Sequence, residues 1–518
     1  MLLTGDRECP FLSLASSRRF GPIRDGAGNG QVAEDAALLQ LGEGGHRLQF
    51  TTITFWVLLV VVFLVHWLLT ARARAQNLVL IVAACVFYGW FDVRFLAFLL
   101  GGTLVDFLVG VGLARWDRPG TRRLLLALSL TVNLGALAWF KYAGFLVGSA
   151  RGLLAAVGLP AGEGTLAIAL PLGISFFTLQ RLSYVLDVFR GAAPPARDGI
   201  AFLATATFFP LLLSGPIERP ARLLRQFRRG RVFDPEGAVD GLRRILLGLF
   251  KKLVIADRVA PAVHAIFSDP SARSGSELAL GAALFGVQLY ADFSGYSDMA
   301  IGCARLLGIR VMRNFAAPFF SRDIGEFWRR WHISLSTWLR DYIYTPLSWR
   351  TPLSSRWKRF WFILVTFLAS GLWHGASWNF VLWGLLHGLF FAPLVFQWIG
   401  SGGDRTEPGP LASAIRGLLT FGGVSFAWIL FRTETLVEAA RYVTLMFTTS
   451  WVPVPRYPEA IALSVSFLLA EWLRRGHEHL LAGLPARTAE RWAIYLVLAL
   501  SVILLGGQGA SPFLYAQF

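Results

Sequence analysis

The sequence predicts an all-α polytopic membrane protein, with about ten to twelve transmembrane helices accompanied by re-entrant or interfacial helices. Three observations lead there. Hydrophobic residues make up 55% of the 518 and charged residues 16%, with a mean hydropathy of +0.54, a balance that excludes a soluble globular domain. Apolar stretches of about 17–25 residues, the length that crosses a hydrocarbon core, recur along the chain. The net charge of +17 is carried by arginines in short links between those stretches, at Arg72 and Arg74, from Arg115 to Arg123 and from Arg219 to Arg231. Such links are what the positive-inside rule requires of cytoplasmic loops, so the charge reports topology and no nucleic-acid partner is expected.

Residues 1–47 hold Gly, Asp, Arg and Ser without periodicity and lack the apolar core of a signal peptide. They are expected to be a disordered tail or a start assigned too far upstream, leaving 48–518 as one integral-membrane domain. Candidate spans follow at 54–70, 77–92, 94–113, 124–140, 142–158, 166–186, 199–214, 245–266, 277–291, 360–372, 376–399, 411–431, 458–473 and 491–507. The early spans carry His66, Asp92, Asp106, Asn133, Lys141 and Tyr142. Lys141 and Asp92 read as helix-end side chains reaching for the interface, and Asp106 as a packing hydrogen bond. Pro171 to Gln180 clusters Pro, Gly and hydroxyls and predicts a broken helix, while Phe208 to Arg219 predicts a rigid turn. Arg243, Arg244, Lys251 and Lys252 interrupt the next apolar run and predict an interfacial helix. Cys9, Cys85 and Cys303 have neither disulfide nor metal-ligand spacing, and no metal site is expected. Near the other end, 400–410 reads as a polar loop and His477 and His479 as solvated, and His264 and His387 lie near segment ends.

Chemistry concentrates in three stretches. Gln288 to Asp298 places two carboxylates, two serines and two tyrosines in an apolar run, so Asp292 and Asp298 must face a wet cavity or a partner such as Arg313. Arg313 to Asp323 contains Pro318, which opposes a continuous helix, and Asp323 with Glu326 forms a capping-box pattern for a helix start. From there a spacing of about 100° per residue sets Trp328, Trp331, His332, Leu335, Leu339 and Tyr342 on one face, so that His332 lies in an aromatic stripe. The third stretch, Ser370 to Phe380, flanks His374 with Trp373 and Gly375 at membrane depth.

These stretches resemble the membrane-bound O-acyltransferase family, most closely its bacterial alginate O-acetyltransferase branch, with the D-alanyl transferases of teichoic acid next. The resemblance runs from about residue 50 to Ser511–Phe518 and rests on Tyr290–Asp298, Arg313-Asn314-Phe315, Phe327–Ser336 and Gly371–Gly375. It implies helices around a central funnel, an active histidine at His374 and a second functional histidine at His332. Substrate contacts would come from Trp373, Asn379, Asp292, Ser294, Arg313, Asn314, Trp328 and Trp331. It implies no bound cofactor, a donor that is acetyl-CoA or another acyl thioester, and a bacterial inner-membrane location. Its implied partners are membrane lipid, a periplasmic SGNH-type acetyltransferase and the exopolysaccharide machinery. The residue chemistry agrees: moving an acyl group from a thioester to a hydroxyl needs a base near neutral pKa, which histidine supplies. The indole N–H of Trp373 or Trp378 and the Asn379 amide are candidates to polarise the carbonyl. Other readings are D-alanyl, lysophospholipid or protein acylation, or a non-enzymatic transporter, although no internal repeat supports the last.

The topology is testable directly. With the native cysteines replaced, a cysteine introduced at Arg228 is expected to react with an impermeant thiol reagent only from the cytoplasmic side. Labelling from the periplasmic side of intact cells would reverse the orientation.

Overall fold

The computed structural model describes residues 48–160, 166, 168–213, 215–349, 355–396, 409–452, 456–484, 487–506 and 514. The expected tail at 1–47, most of the 400–410 loop, and Ser511–Phe518 apart from Leu514 lie outside the described residues. Among the described residues every regular element is helical. The first four are α1 (Ile53–Leu68), α2 (Ala73–Gly89), α3 (Val93–Arg115) and α4 (Pro119–Ala156). Thr52 caps α1 by accepting from the Phe55 amide, and Asp92 caps α3 by accepting from Arg94 at 2.8 Å. The break expected in α4 near residue 141 is absent. Two α-helical halves join through a π turn at Ala138–Tyr142, which widens the helix and carries Lys141 and Tyr142. Asp106 of α3 does make the packing bonds expected of it, to Ser129 Oγ at 2.6 Å and Asn133 Nδ2 at 3.0 Å.

The arginine-bearing links meet. The Ala71 amide donates to the Arg231 carbonyl at 3.0 Å, Arg122 donates to the Phe189 carbonyl at 2.9 Å, and Arg228 donates to the Pro195 carbonyl at 3.4 Å. All three clusters therefore gather at one end of the helices, the end that the positive-inside rule assigns to the cytoplasm. The Pro171 motif is the lead-in to α5 (Ile174–Phe189). Gly173 turns there with φ +73, and a side chain would strike the Leu212 carbonyl, so only glycine fits. The stretch expected to span at 199–214 opens with the shorter helix α6 (Gly199–Ala206).

The molecule is built around the contact of two long helices. Residues 235–268 form one helix, α7, through a π turn at Lys251–Ala256, and they lie along α8 (Gly275–Leu306), whose start is closed by a Ser274–Glu277 capping box. Glycines make the approach possible. A Cβ on Gly248 would lie 2.5 Å from the Gly295 carbonyl oxygen, and one on Gly241 would lie 2.8 Å from that of Gly302. The contact overturns the interfacial expectation for this segment, because Lys251, Lys252 and Arg244 are buried. Lys252 lies 2.7 Å from Asp292 and 2.8 Å from Asp257. Lys251 lies 3.0 Å from Asp298 and 3.6 Å from Glu471. Lys252 thus neutralises Asp292, and Lys251 with Arg244 at 3.8 Å neutralises Asp298, in place of the expected Arg313, as ions removed from water require. His479 is also corrected: it is buried and donates to Asp240 Oδ1 at 2.8 Å. That bond, with Arg244 alongside, holds the Asp240 carboxyl well below the usual carboxylate range.

Besides short helices such as Pro220–Phe227, the chain continues beyond α8 with α9 (Ile324–Arg330), α10 (Ile333–Leu339), α11 (Arg356–His374), α12 (Trp378–Phe390), α13 (Pro410–Arg432), α14 (Leu436–Thr448), α15 (Pro458–Leu473) and α16 (Thr488–Leu505). Among the described residues six helices are long and apolar enough to cross a membrane: α3, α4, α8, α12 extended to Val395, α13 and α16. Two shorter apolar ones, α1 and α2, accompany them. The chain is a multi-pass, all-α membrane protein.

Replacing Lys252 with methionine strands Asp292 and Asp257 without their cation. The expected loss is about 3–5 kcal/mol of stability, the cost of breaking a buried pair. It is read as a lower thermal midpoint in detergent, and Asp292→Asn in the same chain should recover part of it.

Candidate active site

His332 occupies a break that helical periodicity does not reveal. The expected single helix from Asp323 divides after Arg330: Trp331 is extended, His332 takes φ +42 and ψ +52, and α10 begins at Ile333. A left-handed non-glycine residue costs about 1–2 kcal/mol and needs an external support. The support is Asn314, which runs alongside. Its carbonyl accepts from the Ile333 amide at 2.9 Å, and the Ala316 amide donates to the Arg330 carbonyl at 2.9 Å. The Asn314 side chain completes the hold. Its Oδ1 faces His332 Nδ1 at 3.1 Å and accepts from Ser334 Oγ at 2.9 Å, while its Nδ2 donates to Ser297 Oγ of α8 at 3.1 Å. An amide oxygen only accepts, so Nδ1 of His332 carries the hydrogen and Nε2 the lone pair. Asp323 does cap α9, but Glu326 closes the turn through the Arg322 amide and not through Asp323 itself.

His374 is the last residue of α11. Gly375 then turns into extended backbone with its α-carbon against the Phe380 ring, where a side chain would collide. The imidazole is buried with its centroid 6.5 Å from that of His332. Trp373 and Trp383 each stand 4.9 Å away and Phe431 5.2 Å, so aromatic rings enclose it on several sides. Phe293 of α8 contacts His332 at 4.8 Å, and Phe176 stacks on it at 6.4 Å. Two histidines 42 positions apart thus pack into one buried aromatic cluster.

The model of the membrane-bound O-acyltransferase family matches residues 197–399, which contain both histidines. The chain is 34% identical over 511 residues to the probable alginate O-acetylase AlgI of Azotobacter vinelandii, covering 90% of this chain and 100% of that one. It is 36% identical over 497 residues to the corresponding protein of Pseudomonas putida, again covering 90% and 100%. It belongs to the membrane-bound O-acyltransferase family. A peptidoglycan O-acetyltransferase of Helicobacter pylori, 31% identical over 423 residues with 76% and 78% covered, shows that relatives with different named acceptors share this sequence.

As an acyltransferase of this family, the chain keeps some expected site residues at the histidines and moves others away. Trp373 and Asn314 touch the pair directly. Trp328 stands behind it, donating its indole N–H to His387 Nδ1 at 3.3 Å, and Trp331 packs against Tyr290, Phe315 and Trp428. Ser294 and Arg313 line a cleft next to Asn314 and Ser297. Asp292 instead faces Lys252 and the Leu514 amide, at 3.0 Å from the latter. The donors considered for the substrate carbonyl are engaged elsewhere: Trp373 Nε1 with the Ser175 carbonyl at 3.4 Å, and Asn379 Nδ2 with that of Thr433 at 2.7 Å. Trp378 is largely exposed. Sequence reading placed His387 near a segment end and gave it little weight, yet it is fully buried between Trp328 and Trp383; it gave no role to Phe176, whose place at the histidines follows only from the α5 start. Among the described residues no group of three His, Cys, Asp or Glu side chains is arranged to hold a metal.

Asn314→Ala should lower acyl transfer by about 10–100-fold, the usual effect of removing a group that orients a functional histidine. Initial rates normalised to folded protein check this; an unchanged rate would show that the His332 ring needs no such hold.

Proposed function

We propose that this protein is a bacterial inner-membrane O-acetyltransferase that moves acetyl groups from a cytoplasmic thioester, acetyl-CoA or an acyl carrier, toward an exported, alginate-like polysaccharide. The observation that carries the reading is the enclosed His332–His374 pair in a chain of this family. His374 serves as general base. The acceptor oxygen bonds to the thioester carbonyl carbon as its proton passes to the imidazole. The tetrahedral oxyanion then collapses, the C–S bond breaks, and the departing thiolate takes the proton from the imidazolium, which restores neutral His374. His332, with Nδ1–H fixed on Asn314, keeps Nε2 as its basic nitrogen beside His374. The arginine-rich end offers an anionic donor a favourable approach. Acetyl is favoured over D-alanyl because the relatives matching over most of the chain are named as acetylases and acetyltransferases. A periplasmic SGNH-type transferase would complete delivery to the polymer.

His374→Ala is expected to abolish O-acetylation of the exopolysaccharide while protein level and polymer secretion remain intact. The loss expected for a missing base is at least about 10²–10⁴-fold. Membranes supplied with labelled acetyl-CoA, with and without the substitution, identify donor and product together. A fully acetylated polymer from the variant would overturn the assignment, and loss of secretion would favour transport as the primary role.

A further inference from the structure

Lys141 does not reach for the membrane interface as its place in the sequence implies; it points inward, to the end of the helix that carries His374. Its ammonium donates to the Trp373 carbonyl at 2.7 Å, to the His374 carbonyl at 3.0 Å and to Ser175 Oγ at 3.4 Å. The neighbouring Tyr142 hydroxyl donates to the Leu372 carbonyl at 2.6 Å. These three consecutive carbonyls are among those that a helix C-terminus leaves without intrahelical partners.

We propose that Lys141, assisted by Tyr142, is the positioning residue that fixes His374 for acyl transfer. Four arguments converge. His374 ends α11, and a last turn frays unless its carbonyls are taken up. A cation at a helix C-terminus complements the negative end of the helix dipole. The π turn of α4 supplies the geometry, because it presents two adjacent residues, Lys141 and Tyr142, to the same target. Finally, Lys251 and Lys252 are held by carboxylates and Lys358 is exposed, whereas the partners of Lys141 among the described residues are neutral oxygens. A lysine kept inside a membrane protein without a carboxylate is costly, and such residues mark function. The same ammonium donates to Ser175 Oγ of α5, whose Phe176 stacks on His332, so one side chain joins the end of α11 to a helix that contacts the second histidine.

The inference rests on His374 being the base, and the experiment separates the two claims. Purified Lys141→Met, Lys141→Arg and Tyr142→Phe variants are compared with the unaltered protein and His374→Ala. Readouts are the acetyl-CoA dependence of label transfer, the thermal midpoint and, in cells, polymer acetyl content. Lys141→Met should lower kcat by about 10²-fold, the effect of displacing a reacting group by about 1 Å, with KM for acetyl-CoA within about threefold. Lys141→Arg, which can still donate to two carbonyls, should restore about tenfold of that loss. Tyr142→Phe should lose less than Lys141→Met. Full kcat in Lys141→Met beside an inactive His374→Ala overturns the positioning role alone. A loss that only follows the unfolded fraction and is not rescued by arginine overturns it too. Activity in His374→Ala removes the catalytic reading and this inference with it.

Discussion

The contact between α7 and α8 is the constraint on which the rest depends. Lysines and carboxylates sit in the core of a membrane protein only if they meet, and Lys251 and Lys252 meet Asp298 and Asp292 because glycine lets the two backbones touch. That pairing leaves α8 without uncompensated charge along its buried length. Its other faces are then free to serve the site. Ser297 anchors Asn314, Phe293 contacts His332, and Tyr290 packs against Trp331. The packing around the histidines is therefore organised from a helix that contributes no histidine of its own.

The all-α membrane class and the importance of the 288–298, 313–334 and 370–380 stretches were legible because both are written in composition and local clustering. The details that were not legible share a physical origin. Periodicity averages over a turn or more, so one left-handed residue at His332 leaves the apolar stripe intact while dividing the helix. The π turns at Ala138–Tyr142 and Lys251–Ala256 have no residue signature, yet each redirects charged side chains from an expected interface to the interior. Partners are equally hidden when they are distant. Nothing near Lys252 in sequence announces Asp292, and nothing near Lys141 announces the carbonyls of Trp373 and His374. The capping pattern at Asp323 and Glu326 was visible, and only the identity of the amide that Glu326 accepts from was not.

The aromatic lining accounts for a further property of the site. Rings of Trp373, Trp383 and Phe431 around His374 leave little polar surface to hold water beside its imidazole. The same rings pack largely edge to face, so the separation of the two imidazoles is held by the surrounding side chains.

The bond from the Leu514 amide to Asp292 joins residues 222 positions apart. Asp292 already holds Lys252, so a buried ion pair of the core has one of its acceptor oxygens taken up by a residue far along the chain from both helices. The hydrogen-bond complement of this charge pair is therefore complete only with residue 514 in place, which ties the far end of the described chain to the contact that organises its middle.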